Sequence, residues 1–406
     1  MVSFLHKLLT KSLYFLRPLI HCRLPITMSM RKLEVKEGSS LPYPKWGLLL
    51  SDIAKFIESK GGRGEITGLT TTEICDKFIK PLTLKGKQSY CEYLLENGKK
   101  VERATVFVSH AWRYEFIQVY DSLCHHLKDE PETVIYFDLF SNNQHLAVDL
   151  DFHWWSTTFR EAIESFGRVV LILLPYGEPI VFTRAWCLFE IYTAIATGSL
   201  MEVALSPHER EEFLNAIIND FGTYMKLLAD IDVRNAEAWN PEDKRKIFQV
   251  VEKLEGGFDG VNGMICDKMR EWMITTLEKA TEEDGLDTEE VIRRKNAYCD
   301  GLSNQGRFEE AMVVISCCEE QLENIDDDEL KAVVYRQKAN VYTDQGKYNE
   351  ALEYYEKCLV IYLEKLGDKH PDVATTYNNM AMVYDDQGKT ELANKYKKKA
   401  LEITDL

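Results

Sequence analysis

Four polar side chains, Ser109, His110, Asp138 and Tyr176, stand where apolar runs of the chain stop. Runs rich in β-branched and aromatic residues read as buried strands, and strands alternating with helices imply a parallel sheet. Polar groups at the carboxyl ends of such strands face one crevice, where ligands collect. Cys187 and His110 are the residue types of a nucleophile and its base, but Cys187 falls in an apolar helical pattern and reads as packing. His145, Asp149, Asp151 and His153 carry metal-ligating atoms, yet no helical or hairpin spacing gathers them, so no metal is expected. Arg184 reads as an anion contact or a salt bridge. Adjacent His125 and His126 point apart on a helix. No phosphate-cradling glycine loop follows a strand, which argues against a Rossmann or P-loop nucleotide enzyme.

The elements that must position these groups run from Thr105 to Glu190. Thr105–Ser109 is a strand that breaks into a loop at His110, and Phe116, Val119, Tyr120, Leu123 and Leu127 mark one face of the helix that follows. A strand is expected over Val134–Asp138, then a long loop, Leu139–Trp155, rich in Asn, His and Trp. Phe159, Ile163 and Phe166 mark a helix ended by Gly167. The next strand, Arg168–Leu174, is almost wholly apolar, as a central parallel strand should be. Thr183 reads as the cap of a helix through Glu190 to Ile195, and Met201–Leu205 as a short last strand.

Flanking segments differ in character. Residues 31–103 read as an irregular, partly helical lead-in that packs on the sheet domain, with a helix capped near Thr70 and ending near Pro81. Residues 206–285 read as a helical connector: Ser206-Pro207-His208-Glu209 and Asn240-Pro241-Glu242 are start signals, and Gly256-Gly257 is a break.

The net charge of −17 works against binding nucleic-acid phosphates or anionic membrane. Ten cysteines without paired CxxC spacing read as reduced thiols, and the protein is expected to be cytoplasmic. Residues 1–30 form a basic leader that resembles an amphipathic mitochondrial presequence, with Met28 or Met30 as alternative starts. Mitochondrial targeting is the competing address. Apolar runs are too short to span a bilayer.

The tail repeats itself. Gln305-Gly306-Arg307-Phe308 recurs as Gln345-Gly346-Lys347-Tyr348 and Gln387-Gly388-Lys389-Thr390, a period of about 40 residues that indicates stacked helical pairs. Small residues keep register before the glycine (Cys299, Ala339, Ala381) and after it (Cys318, Cys358, Ala400). With Leu366-Gly367-Asp368-Lys369-His370-Pro371 and Asn378-Asn379-Met380-Ala381, residues 290–406 resemble the tetratricopeptide (TPR) repeats of kinesin light chains. The resemblance implies a three-unit solenoid with a concave face that binds a peptide or partner protein. The light chain's heptad coiled coil has no counterpart.

Residues 104–205 resemble Toll/interleukin-receptor (TIR) domains: Val106-Phe107-Val108-Ser109 matches the first-strand signature, Tyr136-Phe137-Asp138 the second strand, and Trp186-Cys187-Leu188-Phe189-Glu190 the tryptophan-cysteine box. The resemblance implies a flavodoxin-like parallel sheet able to self-associate. In TIR enzymes the glutamate of that box cleaves NAD at the nicotinamide–ribose bond, which carries over to Glu190 as catalytic residue, with Ser109, Trp112, Arg113 and Asp138 as substrate-binding residues. Such a carboxylate would stabilise an oxocarbenium-like ribose, and Trp112, Trp154 and Trp155 would stack on the bases. Equally, Glu190 reads as a solvated helix acid or a partner of Arg184 or Arg113. The long loop 139–155 replaces the family's short proline–glycine loop. The expected architecture is therefore α/β plus all-α, TIR-like sheet, connector and TPR solenoid. The expected function is a signalling or defence scaffold without cofactor; the alternative is an NAD glycohydrolase with NAD as substrate.

Overall fold

Side chains from Val169 to Ile172 are 0% exposed, so this run is covered on both faces. It is the heart of β5 (Arg168–Ile172) in a six-stranded mixed sheet seen in the computed structural model. The structure describes residues 45–146, 152–229, 231–323 and 325–404. The basic leader 1–30, and Asp149 and Asp151, lie outside them. Contacts divide the chain into two compact units, one spanning Glu37–Met273 and one containing Ile274–Leu406.

In the first unit the strand order is β2-β1-β4-β3-β5-β6. Strands β3 (Val106–Ser109), β4 (Val134–Tyr136), β5 and β6 (Leu200–Ala204) pair in parallel. Strand β1 (Trp46–Leu49) pairs antiparallel with both β4 and β2 (Glu102–Arg103). The sequence reading places no strand in this lead-in. Its signal is weak: Trp-Gly-Leu-Leu is short, and the informative residue is Gly47, where a Cβ would lie 2.3 Å from the Ile135 carbonyl oxygen. Only glycine lets β1 approach β4 so closely.

Helices cover the sheet. Packed against the Phe107 side are Phe159, Ala162 and Ile163 of α4 (Phe152–Phe166) and Ala194 of α5 (Ala185–Thr197), with Tyr136 and Val169. A second, aromatic core joins the lead-in to the strands. In it, Phe56 of α1 (Leu50–Ser59) lies 5.3 Å from Phe140 and 5.4 Å from Tyr90 of α2 (Tyr90–Glu96), and Phe116 of α3 (Phe116–His126) stacks on Phe137 at 6.1 Å.

Three local expectations need correction. Strand β4 stops at Tyr136, because Asp138 opens a helical turn, Asp138–Ser141. Strand β5 stops at Ile172, since Leu174 N–H donates to the Tyr114 hydroxyl, off the strand ladder. The helix capped by the Thr70–Glu73 capping box ends at Thr83, two residues past Pro81, close to where it is expected. A π-helical stretch, Cys75–Ile79, widens the turn just before the proline, which has no N–H to donate. Thr183 is not the cap of α5: its hydroxyl bonds the Ile180 carbonyl and closes a 3₁₀ turn, and Arg184 takes the cap position.

Helices α6 (Pro207–Asn219) and α8 (Pro241–Val251) start at Ser206 and Asn240 caps where these are expected, and α7 (Phe221–Ala229) lies between them. They belong to the same compact unit as the sheet. Phe213 stacks on Trp272 of α9 (Gly257–Ala280) at 4.8 Å and meets Tyr224 at 5.0 Å.

The second unit holds three helical pairs: α10 (Thr288–Asn304) with α11 (Phe308–Leu322), α12 (Asp328–Asp344) with α13 (Tyr348–Lys365), and α14 (Pro371–Asp386) with α15 (Thr390–Thr404). Gly306, Gly346 and Gly388 make the turn of each pair at φ of 71°, 74° and 73°. The register residues Cys299, Ala339, Ala381, Cys318, Cys358 and Ala400 are all buried. Their small side chains let neighbouring helices approach.

Candidate functional site

Ser109 ends β3 and Glu190 lies in the second turn of α5, so the strand tip and the helix face each other across one hydrogen bond. Ser109 Oγ donates to Glu190 Oε2 at 2.6 Å, and the two residues are 1% and 7% exposed. Burial pushes the Glu190 carboxyl up to about 8; the Ser109 hydrogen bond and the Arg184 charge oppose the shift, and the Asp138 charge adds to it. At neutral pH the group is mostly a neutral acid.

Just past the end of the neighbouring strand β4, Asp138 Oδ2 accepts from Trp112 Nε1 at 2.6 Å. Burial lifts the Asp138 carboxyl to about 6 against that bond and one from the Leu139 N–H. His110 lies beside both: its ring meets Phe137 edge-on at 4.6 Å, and Nδ1 is 3.8 Å from Asp138 Oδ1, too long for a hydrogen bond. Burial, helped by the Arg184 charge, drops the imidazole to about 3, so it is neutral. Cys187 donates its S–H to the His110 carbonyl at 3.4 Å rather than to the ring. Burial holds the thiol well above its ordinary range, which removes a thiolate nucleophile.

The structure thus brings together Ser109, His110, Asp138, Trp112, Cys187 and Glu190. Arg113 is exposed on the same turn. Tyr176 is engaged elsewhere: its N–H donates to Glu209 and its carbonyl accepts from Tyr224. Trp155 is partly buried and packs against Phe159 at 5.4 Å. His145 bonds Thr83 Oγ1 at 2.9 Å. Among the described residues no group of three His, Cys, Asp or Glu is placed to hold a metal ion.

Two sets of positioning residues escape the sequence reading. The lead-in holds the Trp112 turn: Thr72 N–H donates to the Trp112 carbonyl and Thr71 N–H to the Tyr114 carbonyl, at 3.2 and 3.0 Å. Tyr114, only 3% exposed, accepts with its hydroxyl from Leu174 N–H at 3.3 Å and Val181 N–H at 3.2 Å, tying both feet of the loop that leads to α5. The Thr70 cap is readable from sequence; its docking on a loop more than 40 residues away is not.

In the repeats, a polar ladder links successive first helices. Gln337 Nε2 donates to Asp300 Oδ1 at 2.7 Å, and at the same register one repeat later Asn379 Nδ2 reaches Asn340 Oδ1 at 3.5 Å. Asn340 also accepts from the Tyr355 hydroxyl.

A family model described as tetratricopeptide repeat matches residues 330–405, the second and third helical pairs. No curated protein matches the chain. Among solved structures it is similar to BtubC (BKLC) from P. vanneervenii at 23% identity and a TM-score of 0.29, over 34% of this chain and 54% of that one. It is also similar to a signal-transduction ATPase with numerous domains and a tetratricopeptide repeat sensor from Pyrococcus horikoshii. That match has 17% identity and a TM-score of 0.31, over 65% of this chain and 36% of that one. The chain therefore spans about half of the first relative and about a third of the second. Residues 330–405 are a TPR region, and no helix among the described residues is long and apolar enough to cross a membrane.

Proposed function

We propose that the protein is an interaction scaffold: the repeats hold a peptide or partner protein, and the sheet unit is a TIR-like module that self-associates. The TPR match over 330–405 carries this reading, because stacked helical pairs present a continuous surface suited to protein partners. The parallel strand order β4-β3-β5-β6 supports the TIR-like part, being that of a doubly wound sheet. The test is quantitative affinity capture with the tagged full chain, its Asn340→Ala/Asn379→Ala variant and its Glu190→Ala variant. Partners lost with the asparagine pair and kept with Glu190→Ala support the scaffold. The same recovery from all three removes the repeats from the function.

A second reading, NAD cleavage at Glu190, is favoured by one observation: the meeting of Glu190 with Ser109 beside the Trp112–Asp138 pair. Burial weighs against it, since the chemistry needs an ionised carboxylate against the ribose and Glu190 is 7% exposed and mostly protonated. The comparisons lend it no support. Incubation of concentrated full chain with NAD decides: nicotinamide release that vanishes in Glu190→Ala establishes the enzyme, and none leaves the scaffold alone.

A further inference from the structure

Arg63, Arg168, Arg234, Arg245 and Arg336 each hold a carboxylate. Arg184, partly buried, holds none and makes no side-chain hydrogen bond among the described residues. The acids around it are taken. Glu237, whose backbone pairs with that of Arg184, gives its carboxylate to Lys244 at 2.8 Å; Asp243 accepts from Trp186 Nε1 at 3.4 Å, and Glu190 accepts from Ser109. We infer that Arg184 and the first turn of α5 bind a phosphate group, carried by a small molecule or free. This goes beyond both readings above, because it needs neither a partner protein nor bond cleavage.

Arg184 occupies the cap position of α5, where Ser, Thr, Asp or Asn would accept from the first turn, and no side chain does so. Ala185 N–H donates to the Glu237 carbonyl at 2.9 Å, while the N–H groups of Trp186 and Cys187 have no acceptor among the described residues. The helix dipole at this end favours negative charge. His110 is an independent mark. Its carbonyl accepts from the Cys187 S–H at 3.4 Å, so its imidazole stands against the same turn. Nδ1 is on the Asp138 side, 3.8 Å from Oδ1, and Nε2, on the opposite side of the ring, is buried without a partner. The residue is 5% exposed, and a neutral imidazole has one N–H to donate. The Arg184 charge is felt at His110, Cys187 and Glu190, which puts the guanidinium at the same crevice.

Charge and shape select the ligand. Glu190 is mostly protonated at neutral pH, so the guanidinium stands beside a neutral acid and a neutral imidazole. A partly buried cation without a counter-charge is costly. A cationic or apolar ligand leaves that charge unmatched. A carboxylate offers two oxygens in one plane. A phosphate group offers three around a tetrahedron, enough for the guanidinium fork, the two first-turn N–H groups and the imidazole N–H.

The net charge of −17 repels anions at long range, so saturable phosphate binding requires short-range contacts. The full chain is titrated with inorganic phosphate at pH 7 and a constant ionic strength of about 0.15 M, and tryptophan fluorescence follows binding, Trp186 lying in the proposed turn. Phosphate saturates the signal, and acetate binds at least about tenfold more weakly, a difference of about 1.4 kcal/mol. Arg184→Gln weakens phosphate binding about tenfold. His110→Phe, which keeps the apolar packing on Phe137, weakens it severalfold. Arg103→Gln removes the same charge from an exposed position on β2 and changes affinity less than about twofold. A parent chain that does not saturate, acetate binding as tightly as phosphate, unchanged affinity in Arg184→Gln, or an equal loss in Arg103→Gln overturns the inference. Far-ultraviolet circular dichroism checks each variant's fold, and if His110→Phe does not fold, Arg184→Gln decides alone. Glycerol 3-phosphate separates the sources: tighter binding than inorganic phosphate assigns the site to an ester, and weaker binding assigns it to the free ion.

Discussion

A carboxyl group that is kept neutral by its surroundings is the sharpest feature at the residue scale. Glu190 has an ordinary value of 4.5 and is pushed up to about 8 by burial. Between those values the folded chain binds the extra proton, so this group's contribution to stability is complete below about 4.5 and falls as pH rises toward 8. Asp138, lifted from 3.8 to about 6, acts over a lower window, and His110, lowered from 6.5 to about 3, adds stability as pH rises to about 6.5, which leaves the decline above pH 7 to Glu190. The limiting slope is about 1.4 kcal/mol per pH unit. All seven tryptophans precede Ile274, so tryptophan fluorescence follows only the sheet-bearing unit. Urea midpoints read this way at pH 7 and 8 should fall for the parent chain and stay level for Glu190→Gln; parallel declines would refute the assignment. Ser109→Ala should cost about 1–3 kcal/mol by the same measurement, because it leaves the buried acid without its hydroxyl partner. The box from Trp186 to Glu190 is readable in the sequence, and so is its nearness to a strand tip. Whether the acid is charged is not, because that depends on how much water the neighbouring elements exclude.

Local signals, at the scale of elements, specify starts and stops well where the interaction is short-range. The Thr70, Ser206 and Asn240 caps each bond an N–H two or three residues ahead, and all three form. Signals fail where an end is decided across space. Strand β4 gives up Asp138 to the Trp112 indole, and β1 exists because β4 offers it an edge. Tyr114→Phe tests one such long-range tie. It leaves the buried N–H groups of Leu174 and Val181 without their acceptor, at about 1–3 kcal/mol each. Hydrogen exchange at those two amides should accelerate; unchanged protection would mean that the loop is held by something else. In the repeats, Gly346→Ala places a side chain at φ of 74° and should cost about 1–2 kcal/mol, seen as a lower melting temperature in far-ultraviolet circular dichroism.

For the whole molecule, a net charge of −17 sets a long-range preference that no single site reverses. The chain should not be retained by duplex DNA at about 0.15 M salt, whereas retention would require a cationic surface that neutralises several phosphates. The sequence by itself determined the helical repeats and the glycine turns between their helices. It also determined the apolar runs of the parallel strands. Those features follow from periodicity and backbone preference, which neighbours within a few residues decide. Only the tertiary structure decided that the lead-in completes the sheet, that Trp155 packs against Phe159, and that Glu190 is sheltered with Ser109. These outcomes turn on which distant surfaces exclude water from one another, and burial of that kind is a property of packed elements, not of any segment read alone.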